Sequence, residues 1–116
     1  MILLALAAFA SLQTADDAAG RYVAESDTAR CDLSLRPAAA QLPESNIEGE
    51  AASGFAFASP GCPARVAEAA FWRLTLADGA LTLVDGAGDT VFAGRAEGRD
   101  WAGETPGGAA LRLTRK

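Results

Sequence analysis

The side chains here that could do chemistry are carboxylates and two cysteines, because the sequence contains no histidine. Histidine is the commonest general base near neutral pH and the commonest metal ligand, so its absence removes both routes at once. An enzyme would have to work with Asp16, Asp17, Asp85, Asp89 or Asp100. Asp16-Asp17 follows Thr14 at the spacing of a helix start, where negative charge suits the macrodipole, and Gly20 can end that turn. Asp85-Gly86-Ala87-Gly88-Asp89 has some look of a calcium or phosphate loop, but it lacks the ligand count of the first and the following Lys of the second. A hairpin turn accounts for it at lower cost. Cys31 and Cys62 are the only cysteines, with no C-x-x-C spacing and no companion ligands, so one disulfide is expected in place of a redox or metal pair. No catalytic residue, no cofactor and no metal of the protein's own is expected.

The 116 residues allow one domain, and although half of them are apolar, many of those are alanine. A core built that way is thin, and a covalent staple helps it. The net charge of −5 and the lack of clustered Lys or Arg argue against nucleic acid, whose phosphates demand a basic face. Ile2 to Ala10 is an unbroken apolar run of signal-peptide length, too short to span a bilayer, with Ala8-Phe9-Ala10 as a small-x-small cleavage site. No Lys or Arg follows Met1, so the usual positive start is missing. Export is the expectation, with residues 1–10 as signal peptide, and an oxidising compartment agrees with the paired cysteines.

Those groups must be carried by strands. From Phe71 to Lys116 the chain reads as a meander: FWRLTL, ALTLVD, DTVFAGR, DWAGET and AALRLTR, separated by Asp-Gly, Gly-rich or Pro-Gly turns. Trp72, Leu74 and Leu76 share one face of their strand, Leu81 and Leu83 another, Leu111 and Leu113 a third, the period of two that marks burial on one side. Upstream, residues 20–25 give a first strand with Tyr22 and Ala24 on one face, and residues 31–35 a second with Cys31, Leu33 and Leu35 together. Residues 54–58 give a third, with Phe55 and Phe57 expected in the core. Between them, residues 36–53 lose the pattern, although they can hide part of a strand. Ala64 to Ala70 reads as a short helix after Pro63. Arg112, Arg115 and Lys116 read as the solvated end of the last strand. A series of antiparallel strands avoids a raw edge by closing on itself, so an all-β barrel is expected.

In order and spacing, Gly20-Arg21-Tyr22-Val23, Cys31-Asp32-Leu33, Cys62, Trp72-Arg73, Asp78-Gly79 before Leu81-Thr82-Leu83, Phe92 and the end Leu111-Arg112-Leu113-Thr114-Arg115-Lys116 resemble the bacterial alkaline proteinase inhibitors. That family inhibits serralysin-type secreted zinc metalloproteases, and the likeness runs from about Thr14 to Lys116. The resemblance implies an eight-stranded antiparallel up-and-down β-barrel of lipocalin or streptavidin type, with one disulfide, in the periplasm. It also implies a mechanism in which an N-terminal trunk enters the protease cleft and its first residue offers amine and carbonyl to the target's zinc. Carried onto this chain, the trunk is residues 11–19, with Ser11, Leu12, Gln13 and Thr14 as the protease-binding residues and residues 20–116 as the barrel. The sequence departs from the family in three places. Tyr22 stands where tryptophan is usual, the link over residues 36–53 is longer, and cleavage after Ala10 leaves the trunk a few residues short. Cleavage after Ala7 restores that length. Neither cysteine directly follows the apolar run, so the lipid anchor of related outer-membrane lipoproteins is not expected.

A different class of function, a small lipocalin- or avidin-like ligand-binding barrel, starts from Gly20-x-Tyr22 as a barrel opening. It needs an interior left open. In a barrel this small, Phe55, Phe57, Trp72, Phe92, Trp101 and the leucines are expected to fill the interior. The expectation is a monomeric periplasmic protein inhibitor of a zinc metalloprotease.

Overall fold

In the computed structural model, residues 18–37, 50–75 and 78–116 are described. They form eight strands: β1 (Gly20–Glu25), β2 (Arg30–Pro37), β3 (Glu50–Ala58), β4 (Ala69–Thr75), β5 (Ala80–Asp85), β6 (Thr90–Glu97), β7 (Asp100–Glu104) and β8 (Ala110–Arg115). Each strand pairs antiparallel with the next, and β8 pairs back onto β1 through Tyr22↔Arg115 and Ala24↔Leu113, closing the barrel. Closure satisfies the backbone donors and acceptors that a free edge would present to solvent.

Alternation decides what fills the barrel. Tyr22, Ala24, Leu33, Leu35, Trp72, Leu74, Leu81, Leu83, Phe92, Trp101, Leu111 and Leu113 point inward and belong to one buried cluster. Each fully buried leucine contributes about 1.5–3 kcal/mol through the apolar surface it removes from water. The five-strand meander from Phe71 onward is as expected, and among its inward residues only Leu76 lies outside the described residues.

The third strand corrects the sequence expectation. Phe55 and Phe57 point outward, 40% and 55% exposed, whereas Gly54 and Ala56 are buried. The reason is Trp72, which pairs with Gly54 across β3 and β4 and sends its indole N–H to the Arg36 carbonyl of β2 at 2.9 Å. The indole occupies the space beneath β3, and only the small phase of that strand fits over it. A Cβ on Gly54 would sit 1.9 Å from the Arg36 carbonyl oxygen and 2.6 Å from the Trp72 ring nitrogen. Strand structure reaches into both ends of residues 36–53, because β2 runs to Pro37 and β3 begins at Glu50.

One end of the barrel is closed by the β3–β4 connection. The expected helix is a 3-10 turn, Ala64–Glu68, which stops where β4 begins at Ala69. Its Val66 is fully buried in the core. Cys31 at the start of β2 is bonded to Cys62 just ahead of this turn, with a Cα–Cα distance of 4.9 Å. Arg65 reaches from the turn to Asp85, while the other Asp85 oxygen accepts the backbone N–H of Ala87 and of Asp89, each at 2.9 Å. Those bonds hold the carboxyl below the usual carboxylate range, the Asp89 N–H first, against the opposing effect of burial. Asp85 is therefore the organiser of a β5–β6 hairpin, as the hairpin interpretation requires.

Candidate functional site at the N-terminal end of the barrel

The opposite end of the barrel is where β1 begins, β8 finishes and the chain ahead of Gly20 joins the wall. Ser11, Leu12, Gln13 and Thr14 lie outside the described residues, as do residues 1–10 and the expected turn around Asp16-Asp17. The first described residues, Ala18 and Ala19, show how that segment is rooted. Ala18 is fully buried and belongs to the core cluster.

Three side chains from three strands hold this root. Tyr22 of β1 faces the interior, and its hydroxyl donates to the Ala18 carbonyl at 2.6 Å. Trp101 of β7 donates its indole N–H to the Tyr22 oxygen at 3.2 Å. The hydroxyl of Tyr22 thus has two partners. Arg115 of β8 lies with its guanidinium carbon 4.9 Å from the Tyr22 ring centroid and donates through Nη1 to the Ala19 carbonyl at 2.8 Å. The stacked arginine gains cation–π attraction where it also satisfies a backbone acceptor. Gly20 permits the approach: its φ is 151°, and a Cβ there would meet Arg115 Nη1 at 2.5 Å.

The end of β8 is tied down in turn. The Arg115 N–H donates to Asp100 Oδ1 at 3.0 Å and its Nε donates to the Arg99 carbonyl at 3.3 Å. Arg112 pairs with Glu97 at 2.6 Å and with Asp100 at 3.4 Å, which raises its already high pKa further. The Lys116 N–H donates to the Arg21 carbonyl at 2.9 Å, and its ammonium pairs with Asp32 at 2.7 Å, holding that carboxyl below its ordinary range. Arg112 and Lys116 are exposed, as expected of a solvated end, while Arg115 turns in to bond the rim. Sequence reasoning missed Arg115, yet a signal was present, because Leu111, Leu113 and Arg115 share the inward phase of one strand. An arginine at the last inward position of a barrel strand can only be accommodated at the rim, where carbonyls are available.

Chemically the described residues at this end can position a peptide segment. Among the described residues no group of three or more Cys, Asp or Glu side chains could hold a metal ion. Among them, too, no helix is long and apolar enough to cross a membrane. The disulfide lies at the far end of the barrel, so it does not brace the root directly. The sequence matches no protein-family model and no curated protein.

Proposed function

We propose that this protein is a periplasmic inhibitor of a serralysin-like secreted zinc metalloprotease, acting as a monomer by placing the residues ahead of its barrel in the protease cleft. The observation that carries the reading is the clamped root, in which the Ala18 and Ala19 carbonyls are held by Tyr22 and Arg115 at the mouth of a closed barrel. A segment that leaves from a fixed point surrenders less freedom when a cleft orders it, which is what a short inhibitory trunk requires. The ordered resemblance over residues 14–116 supplies the partner class. In this reading Ser11 becomes the terminal residue after cleavage. A free α-amine with its ordinary pKa of about 7.7–8 is partly neutral at pH 7 and can ligate the target's zinc. Leu12, Gln13 and Thr14 then line the cleft. The protein contributes no metal, cofactor or catalytic residue.

The test is inhibition of a serralysin-type protease by the chain beginning at Ser11, compared with the same chain lacking residues 11–14. The first is expected to inhibit stoichiometrically and the second to lose inhibition while melting at the same temperature. A ligand-binding barrel would keep its function after that deletion. Proteolysis left untouched by a saturating excess of the complete mature chain would rule the inhibitor out.

A further inference from the structure

The outer wall formed by β1, β2, β3 and β4 carries a second feature. Phe55 and Phe57 are the two exposed large apolar side chains among the described residues. They stand on neighbouring outward positions of β3, and the Phe71 ring of β4 lies 6.0 Å from that of Phe55. Arg36 of β2 places its guanidinium 5.4 Å from the Phe57 ring centroid. Arg21, Arg36, Lys116 and Phe57 line one shallow depression of ≈ 380 Å³ together with a single carboxylate, Asp32. Lys116 is paired with Asp32, but among the described residues neither Arg21 nor Arg36 has an ion-pair partner.

We propose that this wall is a second contact surface for the same protease, docking a carboxylate-bearing patch beside the cleft. The proposal rests on the inhibitor reading, and it names where the barrel itself touches the partner. Exposed aromatic rings bordered by arginine are the composition of interface centres, where Phe and Arg are enriched and Lys is depleted. Arg21, Arg36 and Lys116 outnumber the one carboxylate of the depression, Asp32, so on a chain whose net charge is −5 this patch is left with positive charge in excess, which asks for the opposite sign from outside. Position agrees, because Arg21 directly follows Gly20 and the wall begins where the N-terminal segment joins the barrel. A partner engaged by that segment is brought to this face. A second copy of the chain fits poorly, since a two-fold contact would set the same cationic wall against itself. A lipid surface fits poorly as well. Both rings lie on a strand flanked by β2 and β4, flush in the wall, and cannot reach below the headgroups as rings on a protruding loop would.

The experiment uses the complete mature chain, the double variant Phe55→Ser/Phe57→Ser and the double variant Arg21→Glu/Arg36→Glu, each assayed against a serralysin-type protease at low and high salt. Loss of the rings removes the Phe55–Phe71 and Arg36–Phe57 contacts, so it should lower the melting temperature slightly while the barrel stays folded, and raise the inhibition constant about tenfold or more. Charge reversal should slow association about tenfold at low salt, with the difference shrinking at high salt as the charges are screened. Wild-type chain that does not inhibit overturns the inhibitor reading and this partner together. Wild type and both variants inhibiting alike overturns the wall alone. Two further results also overturn it: a wild-type dimer in sedimentation that the phenylalanine variant dissociates, or wild-type binding to phosphatidylglycerol vesicles that the variant loses.

Discussion

Tyr22 is the only tyrosine of the chain, and its hydroxyl is engaged twice, donating to the Ala18 carbonyl and accepting from the Trp101 indole. Burial pushes its phenol above the ordinary value near 10, with the Trp101 bond pulling modestly the other way. The neutral phenol is thus favoured in the folded state. Its stabilisation is fully present below a pH of about 10 and is lost as pH rises through the raised folded value. Because one residue supplies the whole phenolate absorbance, an alkaline ultraviolet titration should show a single step above pH 10 accompanied by loss of the fold. Tyr22→Phe strands a buried carbonyl and a buried indole N–H, so it should cost about 1–3 kcal/mol in denaturant melts at neutral pH and remove that alkaline step. A Tyr22→Phe protein as stable as wild type would mean that water already satisfies both groups. Asp85, whose loop reads from the sequence as a hairpin turn in preference to an ion site, is that turn in the structure. Its oxygens are spent on two backbone N–H groups and Arg65, leaving a turn and no site.

At the scale of elements, β3 separates what periodicity can state from what it cannot. Residues 54–58 alternate aromatic and small side chains, so the period is plain but either phase could face inward. Hydrophobicity favours the phenylalanines inside. The choice falls the other way because Trp72, from the next strand, already occupies that space and bonds through to Arg36 on the strand beyond. Gly54 is the position where three strands meet this constraint. Gly54→Ala should therefore cost about 3 kcal/mol or more, since the methyl group would overlap a backbone oxygen and the indole, neither of which can yield cheaply. Gly61→Ala is the control, because a Cβ there meets nothing within 4 Å. Thermal melts of the two variants side by side check this, and equal melting temperatures would show that β3 shifts to accept the methyl. On the other strands alternation was sufficient because the large apolar side chains, such as Tyr22, Leu33, Trp72, Leu83 and Leu113, fall mainly on one phase.

For the whole molecule, closure and the disulfide divide the stabilising work. The Cys31–Cys62 bond spans 31 residues and anchors the β3–β4 connection to the start of β2, at the end opposite the rooted N-terminal segment. On the chain-entropy account it removes denatured-state freedom worth about 3–4 kcal/mol. Melts with and without reductant should differ by roughly that amount, a large share of the marginal stability of a small domain. The reduced protein should keep its N-terminal clamp until the barrel itself opens, because Tyr22, Trp101 and Arg115 are joined through β1, β7 and β8. Inhibition surviving reduction at low temperature would follow from that arrangement. Inhibition lost while the barrel remains folded would contradict it.

The order of hairpins, the shared faces of five strands and the pairing of the cysteines were determined by the sequence alone. Each follows from local rules: a period of two, glycine turns, and two cysteines with no competing partner. Tertiary structure decided the phase of β3, the turning of Arg115 from the solvated end of the last strand into a clamp, and the end of the barrel at which the disulfide sits. These depend on which side chains from distant strands arrive at the same place. Trp72 beneath Gly54 and Arg115 against Tyr22 are 18 and 93 positions apart in the chain, and no local pattern records that the two members of either pair will compete for, or share, one volume.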